Sequence, residues 1–284
     1  MPETMREADP LLEEALALGD EGRWEEMAAL LADALESTPD DAYLLCWAAV
    51  AERELGNETQ AYHLFKRCVA QQPADPNLLA LAGSGLAASD DPDAETALRT
   101  AALTGPDLPS VRIQYGAYLS RSGLFEEALE QLTAGVALAP DDPVAHGELG
   151  VLHALQGDLE RATESLETAL ELAPDDSWTR VLVGLCYCER DRLEEAAETL
   201  LHAARERTDD AETQVLAALA AAAAGWEAAA EEALARAGFA AEGADRLLLD
   251  EAGSAVAAGA GTARAMLLDD LAPSAFHDRL TQPL

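Results

Sequence analysis

At 284 residues and 49% apolar side chains, the chain is long enough for one large domain or two ordinary ones and carries ample material for a core. Its 54 acids against 18 bases give a formal charge of −36, which repels a phosphate backbone and an anionic bilayer alike, so neither nucleic acid nor membrane is expected as a partner. The acidic start "MPETMREADP" is unlike a signal peptide, and no apolar run is long enough to span a bilayer; the expected compartment is the cytoplasm.

In chain order, residues 8–41 read as a helix, a turn at Gly22, a second helix holding Leu31, and a stop at Pro39. Residues 42–75 repeat this with Gly56, Ala61, Phe65 and Pro73. Residues 76–108 follow with Ala94, Leu98 and Pro106; Gly83 keeps register while Ala94 arrives one residue early, so the turn "SDDPD" is shortened by one. Residues 109–142 carry Gly116, Gly123, Ala128, Leu132 and Pro140, and residues 143–176 carry Gly150, Gly157, Ala162, Leu166 and Pro174. In 177–210, Gly184, Ala196 and Leu200 hold the register while Asp191 stands where the turn glycine belongs. Residues 211–244 have Gly225, Ala230 and Leu234. Residues 245–284 read as a degenerate eighth unit or capping helices with a short tail, with Gly259 and Leu268 in phase and Arg264 where Ala is expected.

A period of 34 residues with one step of 33 is the signature of a repeat architecture. Small residues such as Gly116, Gly150, Gly184 and Ala162 mark close helix approach, and Leu166 with its equivalents fills the space between the helices. One hairpin buries one face, and the next must bury the other.

The sites Leu149-Gly150, Gly157, Ala162, Leu166, Ala169 and Pro174 resemble the tetratricopeptide repeat family. His146 and His153 stand where that family commonly has Trp and Tyr, and Met27 replaces Ala in the first unit. The resemblance implies an all-α tetratricopeptide-repeat solenoid, a right-handed superhelix of seven antiparallel helix pairs over residues 1–244. It further implies a concave groove lined by the first helix of each pair, where a protein or peptide segment binds. The matching positions are Tyr43, Cys46, Val50 and Arg53, then Asn77, Ala80 and Ser84, then Ser110, Ile113, Ala117 and Arg121. Val144, Gly147, Val151 and Leu155 continue the series, followed by Trp178, Val181, Leu185 and Glu189. The main site is expected around Val151, Leu155, Trp178, Val181 and Leu185, which combine apolar area with one large aromatic. An apolar or basic segment suits this lining. Relatives that hold the acidic C-terminal tails of heat-shock chaperones use Lys, Asn and Arg together, and a chain whose one Lys is Lys66 does not fit that partner class.

Other residues carry no expected chemistry. Cys46, Cys68, Cys186 and Cys188 lack disulfide or zinc spacing and read as buried free thiols. His146 and His153 lie two turns apart, about 10 Å, too far for a shared metal. The pairs Asp40-Asp41, Asp141-Asp142, Asp175-Asp176 and Asp209-Asp210 precede helices, where a carboxylate caps free amides. "SDDPDAE" lacks the Gly and distal Glu of a calcium loop. No phosphate-cradling loop or nucleophile elbow is present, so no enzyme activity, metal or cofactor is expected. The function expected is a non-enzymatic scaffold or adaptor; the alternative is a dedicated chaperone or regulatory subunit that sequesters a partner protein.

Overall fold

The structure is a computed structural model that describes residues 10–240 and 245–281. Every element among them is helical. The helices follow in pairs: α1 (Pro10–Asp20) and α2 (Trp24–Ser37), α3 (Ala42–Glu54) and α4 (Glu58–Ala70), α5 (Pro76–Ala87) and α6 (Asp93–Thr104), α7 (Pro109–Arg121) and α8 (Phe125–Leu138). The series goes on with α9 (Pro143–Leu155) and α10 (Leu159–Leu172), α11 (Ser177–Glu189) and α12 (Leu193–Glu206), α13 (Ala211–Ala223) and α14 (Glu227–Ala240). The last stretch holds α15 (Asp245–Ala258), then α16 (Ala260–Ala265), a π-helical turn (Met266–Leu271) and α17 (Ala272–Thr281) without a break. The chain divides into two compact units, residues 1–122 with 130–138, and residues 123–129 with 139–284.

The turn between paired helices needs one residue in the left-handed region. Gly22, Gly56, Gly123, Gly157 and Gly225 sit there with φ between 71° and 81°, where a side chain would strain the backbone. Asp90 and Asp191 take the same place with φ of 53° and 54°, as the short polar residues that tolerate this conformation best can do. The position Asp191 occupies is thus a turn of the same kind.

Within the pairs, glycine on the first helix receives leucine from the second. A Cβ built on Gly116 would lie 2.6 Å from Leu132 Cγ, one on Gly150 2.6 Å from Leu166 Cγ, and one on Gly184 2.7 Å from Leu200 Cγ. All three leucines are fully buried, so the ridge of one helix enters the groove of the other with no spare volume.

Helix starts are capped by the second aspartate of each pair. Asp41 accepts from the Tyr43 and Leu44 amides, Asp142 from Val144 and Ala145, Asp176 from Trp178 and Thr179, and Asp210 from Thr213. Asp91 belongs to the shortened turn and is buried. It accepts from Lys66 Nζ at 2.7 Å, Tyr62 Oη at 2.9 Å and the Asp93 amide at 2.8 Å. The Lys66 ammonium, the Asp93 amide and Tyr62 together hold its carboxyl below the ordinary value in spite of burial.

One contact recurs that spacing did not reveal. The fourth residue of several first helices reaches back to the preceding loop: Arg112 Nε donates to Pro106 O at 2.8 Å, His146 Nε2 lies 2.8 Å from Pro140 O, and Arg180 donates to Pro174 O. Gln214 makes the same bond to Arg207 O at 3.1 Å. His146 therefore ties down the interhelical loop by its own hydrogen bond, whereas His153 is buried with Nδ1 unpartnered. The four cysteines are free and buried.

The register slips in the last stretch. Leu268, in phase by sequence, is only half-buried and Leu267 is fully buried; Arg264 faces solvent while Ala263 is buried. Gly259, at φ 105°, sends the chain off at a different angle from the other turns, and the π-helical turn adds a residue to one winding.

Candidate functional site

The site follows from one face of the first helices. In the first unit, polar groups join these helices edge to edge. Tyr43 Oη donates to Asp75 Oδ2 at 2.8 Å, Asp75 Oδ1 accepts from the Asn77 amide at 2.9 Å, and Ser110 Oγ donates to Asn77 Oδ1 at 2.6 Å. One turn deeper, Cys46 and Ala80 are fully buried and Ile113 nearly so, and Cys46 Sγ lies 3.9 Å from Leu78 O. The hydrogen bond with Cys68 and burial push the Cys46 thiol up, so it is an inert packing group. At the next turn Val50 is buried, but Ser84 and Ala117 are half-buried, as are Arg53 and Arg121 towards the helix ends. Asn77 is exposed. This face of α3, α5 and α7 offers solvent a strip of small and polar groups flanked by two guanidinium side chains.

In the second unit Val181 and Val215 are as buried as Cys46, Ala80 and Ile113, whereas Val151, Leu185 and Leu219 are buried where Ser84 and Ala117 are half-buried. Val151, Val181, Leu185, Val215 and Leu219 are each at most 1% exposed, and they share a core with Leu267, Ala272, Ala275, Phe276 and Leu280 of the last helical stretch. The last helical stretch of this unit takes a different path from the other second helices. Elsewhere the second helix of a pair packs on its own first helix and on the first helix of the next pair, as α10 does on α9 and α11, and α12 on α11 and α13. The stretch 260–281 instead crosses first helices: α16 and the π-helical turn lie on α13, the turn also reaches α11, and α17 lies on α11 and touches α9. Its polar fastenings are Arg279, which donates to Glu212 and lies 3.8 Å from Asp210, and Arg264, 2.7 Å from Asp191. Arg279 is nearly buried. Burial alone would raise Asp210, but the Thr213 amide and hydroxyl and Arg207 outweigh it and the carboxyl titrates below its ordinary value.

The sequence-predicted residues therefore fall into two sets. In the first unit Tyr43, Arg53, Asn77 and Arg121 keep half-buried or exposed side chains, whereas Cys46, Val50 and Ile113 are buried packing residues that offer no groove surface. Val151, Leu155, Trp178, Val181, Leu185 and Glu189 belong to the second, where Trp178 and Leu155 are half-buried and Glu189 is exposed at the helix end with its carboxyl pushed up by partial burial. Val144, at the rim, is 48% exposed. Spacing did not flag Arg279 or Glu212, although Phe276 and Leu280 stand four apart with Arg279 between them.

No group of three or more His, Cys, Asp or Glu among the described residues is arranged to hold a metal ion. No helix among them is long and apolar enough to cross a membrane.

Comparison with known proteins bears on the fold. Family models described as tetratricopeptide repeat match residues 12–76, 116–177 and 153–222, together more than half of the chain. No curated protein matches the sequence. Among solved structures, the anaphase-promoting-complex hetero-tetramer Cut9-Hcn1 is similar with a TM-score of 0.68 at 19% identity, over 87% of this chain and 49% of that one. Human IFIT1, solved as a dimer with PPP-AAAA, gives 0.69 at 14% identity over 95% and 71%. TTC0263, a thermophilic tetratricopeptide-repeat protein of Thermus thermophilus, gives 0.52 at 26% identity over 62% and 97%. The chain spans about half the length of the Cut9 structure it matches. With its turn and packing positions recurring down the chain and the family models matching more than half of it, the chain belongs to the tetratricopeptide-repeat family.

Proposed function

We propose that the protein is a non-enzymatic, cytoplasmic scaffold or adaptor that holds a segment of a partner protein against the inner face of its first helices. The family membership supports protein interaction in general. The observation that supports this particular face is in the second unit, where residues 260–281 cross α13, α11 and α9 in turn. A face that accepts one helix over about 33 Å of its length is shaped to accept a polypeptide segment. In the first unit the equivalent strip, from Tyr43 and Asn77 to Arg121, presents small residues, hydrogen-bonding groups and two arginines, which suits an extended or helical segment better than a compact domain. The charge of −36 argues against nucleic acid and anionic membranes and for partners that are neutral or basic. With Lys66 already engaged by Asp91 and Asp93, no lysine is left to clamp the acidic C-terminal tails of heat-shock chaperones.

A second reading, a dedicated chaperone or regulatory subunit, is favoured by the apolar stripe of residues 260–281 that the second unit buries, with Leu267, Phe276 and Leu280 in its core. A unit that buries such a stripe would shield an aggregation-prone helix.

The test is affinity purification from the native cell with mass spectrometry, comparing the wild type with an Asn77→Arg, Arg121→Glu variant and with the outer-face control Glu164→Lys. A partner recovered by the wild type and the control but lost from the inner-face variant is expected. Equal recovery by all three would refute the assignment of the inner face.

A further inference from the structure

We propose that residues 260–281 are a resident ligand of the second unit, occupying a site for a partner's amphipathic helix that carries an apolar stripe and one arginine. The proposal rests on the reading of the inner face as the binding surface and names what that surface takes.

Three observations carry it. The first is placement. In the other pairs of this unit the second helix packs beside its own first helix, but the last one turns inward and crosses the first helices of three earlier pairs in order. A helix that only closed the end of a repeat array would cover the last pair, α13 and α14, and stop there. Extending on to α11 and α9 serves no capping purpose and fills the groove.

The second is the chemistry of the contact. The stretch presents Ala263, Leu267, Ala272, Ala275, Phe276 and Leu280 as its buried stripe, of which three are alanines that bury little area. Its polar specificity rests on Arg279 against Glu212, Thr213 and Asp210. The site therefore selects an aromatic and a leucine four residues apart with an arginine between them, read by two carboxylates that the groove supplies. A buried guanidinium among carboxylates adds more to selectivity than to affinity, because each charge loses its hydration. A partner helix with larger residues in place of the alanines would fill the same face better.

The third is the means of release. Residues 260–281 leave α15 at Gly259, whose φ of 105° needs glycine and where an added Cβ would meet no heavy atom within 4 Å. Gly261 follows, with the same open space at an added Cβ. Rotation at these two residues swings the helix away while α15 stays on α13 and α14. Midway along the stretch, the π-helical turn at Met266–Leu271 comes just before Pro273. Proline has no amide to give, and a π-helical turn marks a locally weakened ladder, so the stretch can leave in two steps.

Resident occupancy lowers the apparent affinity for a competing helix by the fraction of molecules that are open. The experiment uses the full chain and, as probe, a labelled synthetic peptide with the sequence of residues 260–281, followed by fluorescence anisotropy together with amide exchange. Arg279→Glu sets a carboxylate against Asp210 and Glu212 and releases the chain's own helix. This variant is expected to bind the peptide on the order of ten-fold or more tightly than the wild type does. Its residues 272–281 should exchange rapidly while α9, α11 and α13 stay protected. Adding Glu212→Arg to Arg279→Glu restores an opposite-charge pair and is expected to return both readouts towards wild type. Three results would overturn the proposal: a released helix with no gain in peptide binding, loss of protection in α11 and α13 together with the tail, or a concentration-dependent dimer in which the helix is exchanged between two copies. None of them touches the inner face of the first unit, so the broader reading stands or falls separately by the affinity comparison.

Discussion

Replacing Gly150 by Ala sets two effects of opposite sign against each other. In the interior of α9 the change removes freedom from the unfolded chain and improves helix propensity, which is worth about 0.5–1 kcal/mol in favour of the folded state. Against this, the new Cβ would lie 2.6 Å from Leu166 Cγ, 3.0 Å from Leu166 Cδ2 and 3.2 Å from the Ala162 carbonyl oxygen, all well inside an ordinary contact of about 3.5–4.0 Å. Leu166 and Ala162 are fully buried, so the leucine cannot swing into solvent and the carbonyl is fixed in α10. Overpacking of this kind costs about 1–3 kcal/mol, and the balance is a destabilisation of up to about 2.5 kcal/mol. Gly253→Ala is the matched control. It makes the same chemical change inside α15, where no heavy atom lies within 4 Å of the added Cβ, and should stabilise by about 0.5–1 kcal/mol. Urea denaturation followed by circular dichroism reads both values. A stabilisation by Gly150→Ala equal to that of Gly253→Ala would refute the close glycine–leucine packing on which the repeat depends.

Three further outcomes are expected. Asp142→Ala should cost about 1 kcal/mol because it frees the Val144 and Ala145 amides, whereas Asp141→Ala should change stability by less than about 0.5 kcal/mol; equal effects in chemical denaturation would contradict the capping assignment. Burial pushes Cys186 and Cys188 up to about 12, leaving on the order of one thiolate in ten thousand near pH 8. Native protein treated with iodoacetamide should keep both thiols unmodified by mass spectrometry, with modification only in urea, and rapid native labelling would count against that burial. Asp91 titrates below its ordinary value in the folded state, so its contribution is present above that value and is lost as pH falls through the lower one. Asp91→Asn should accordingly flatten the fall in melting temperature below about pH 4, and an unchanged slope would show that the pairing with Lys66 is without consequence.

The architecture was legible because its period falls on positions with a single physical demand. A turn needs a left-handed residue, so Gly22, Gly56, Gly123, Gly157 and Gly225 stand out, and even Asp191 could be located as a substitute. Close packing needs a missing side chain opposite a large one, so Gly150 and Leu166 recur as a couple. Capping was legible only to within one residue, since either aspartate of a pair satisfies the pattern and backbone geometry selects Asp142 over Asp141. The ruler failed at Leu268 because neighbouring apolar residues at 266, 267, 268 and 271 leave the buried register to the turn at Gly259 and the π-helical winding. What a periodic pattern cannot tell is where a helix goes once formed. Phe276, Arg279 and Leu280 mark an amphipathic helix, but the carboxylates that receive Arg279 lie 67 and 69 residues earlier, at Glu212 and Asp210. Hence the path of residues 260–281 across α13, α11 and α9 stayed invisible, and Val181 and Leu185, expected to line a groove, are buried.

The central claim, that a partner segment lies along the inner face of the first helices, is tested most directly by site-specific photo-crosslinking in the native cell. A photoreactive residue is placed at Asn77 or Arg121 on the inner face of the first unit, and at Glu95 or Glu164 on second helices as outer controls. Crosslinks to one partner protein are expected from Asn77 and Arg121 and none from Glu95 or Glu164. Crosslinks to that partner from Glu95 and Glu164 alone would contradict the claim.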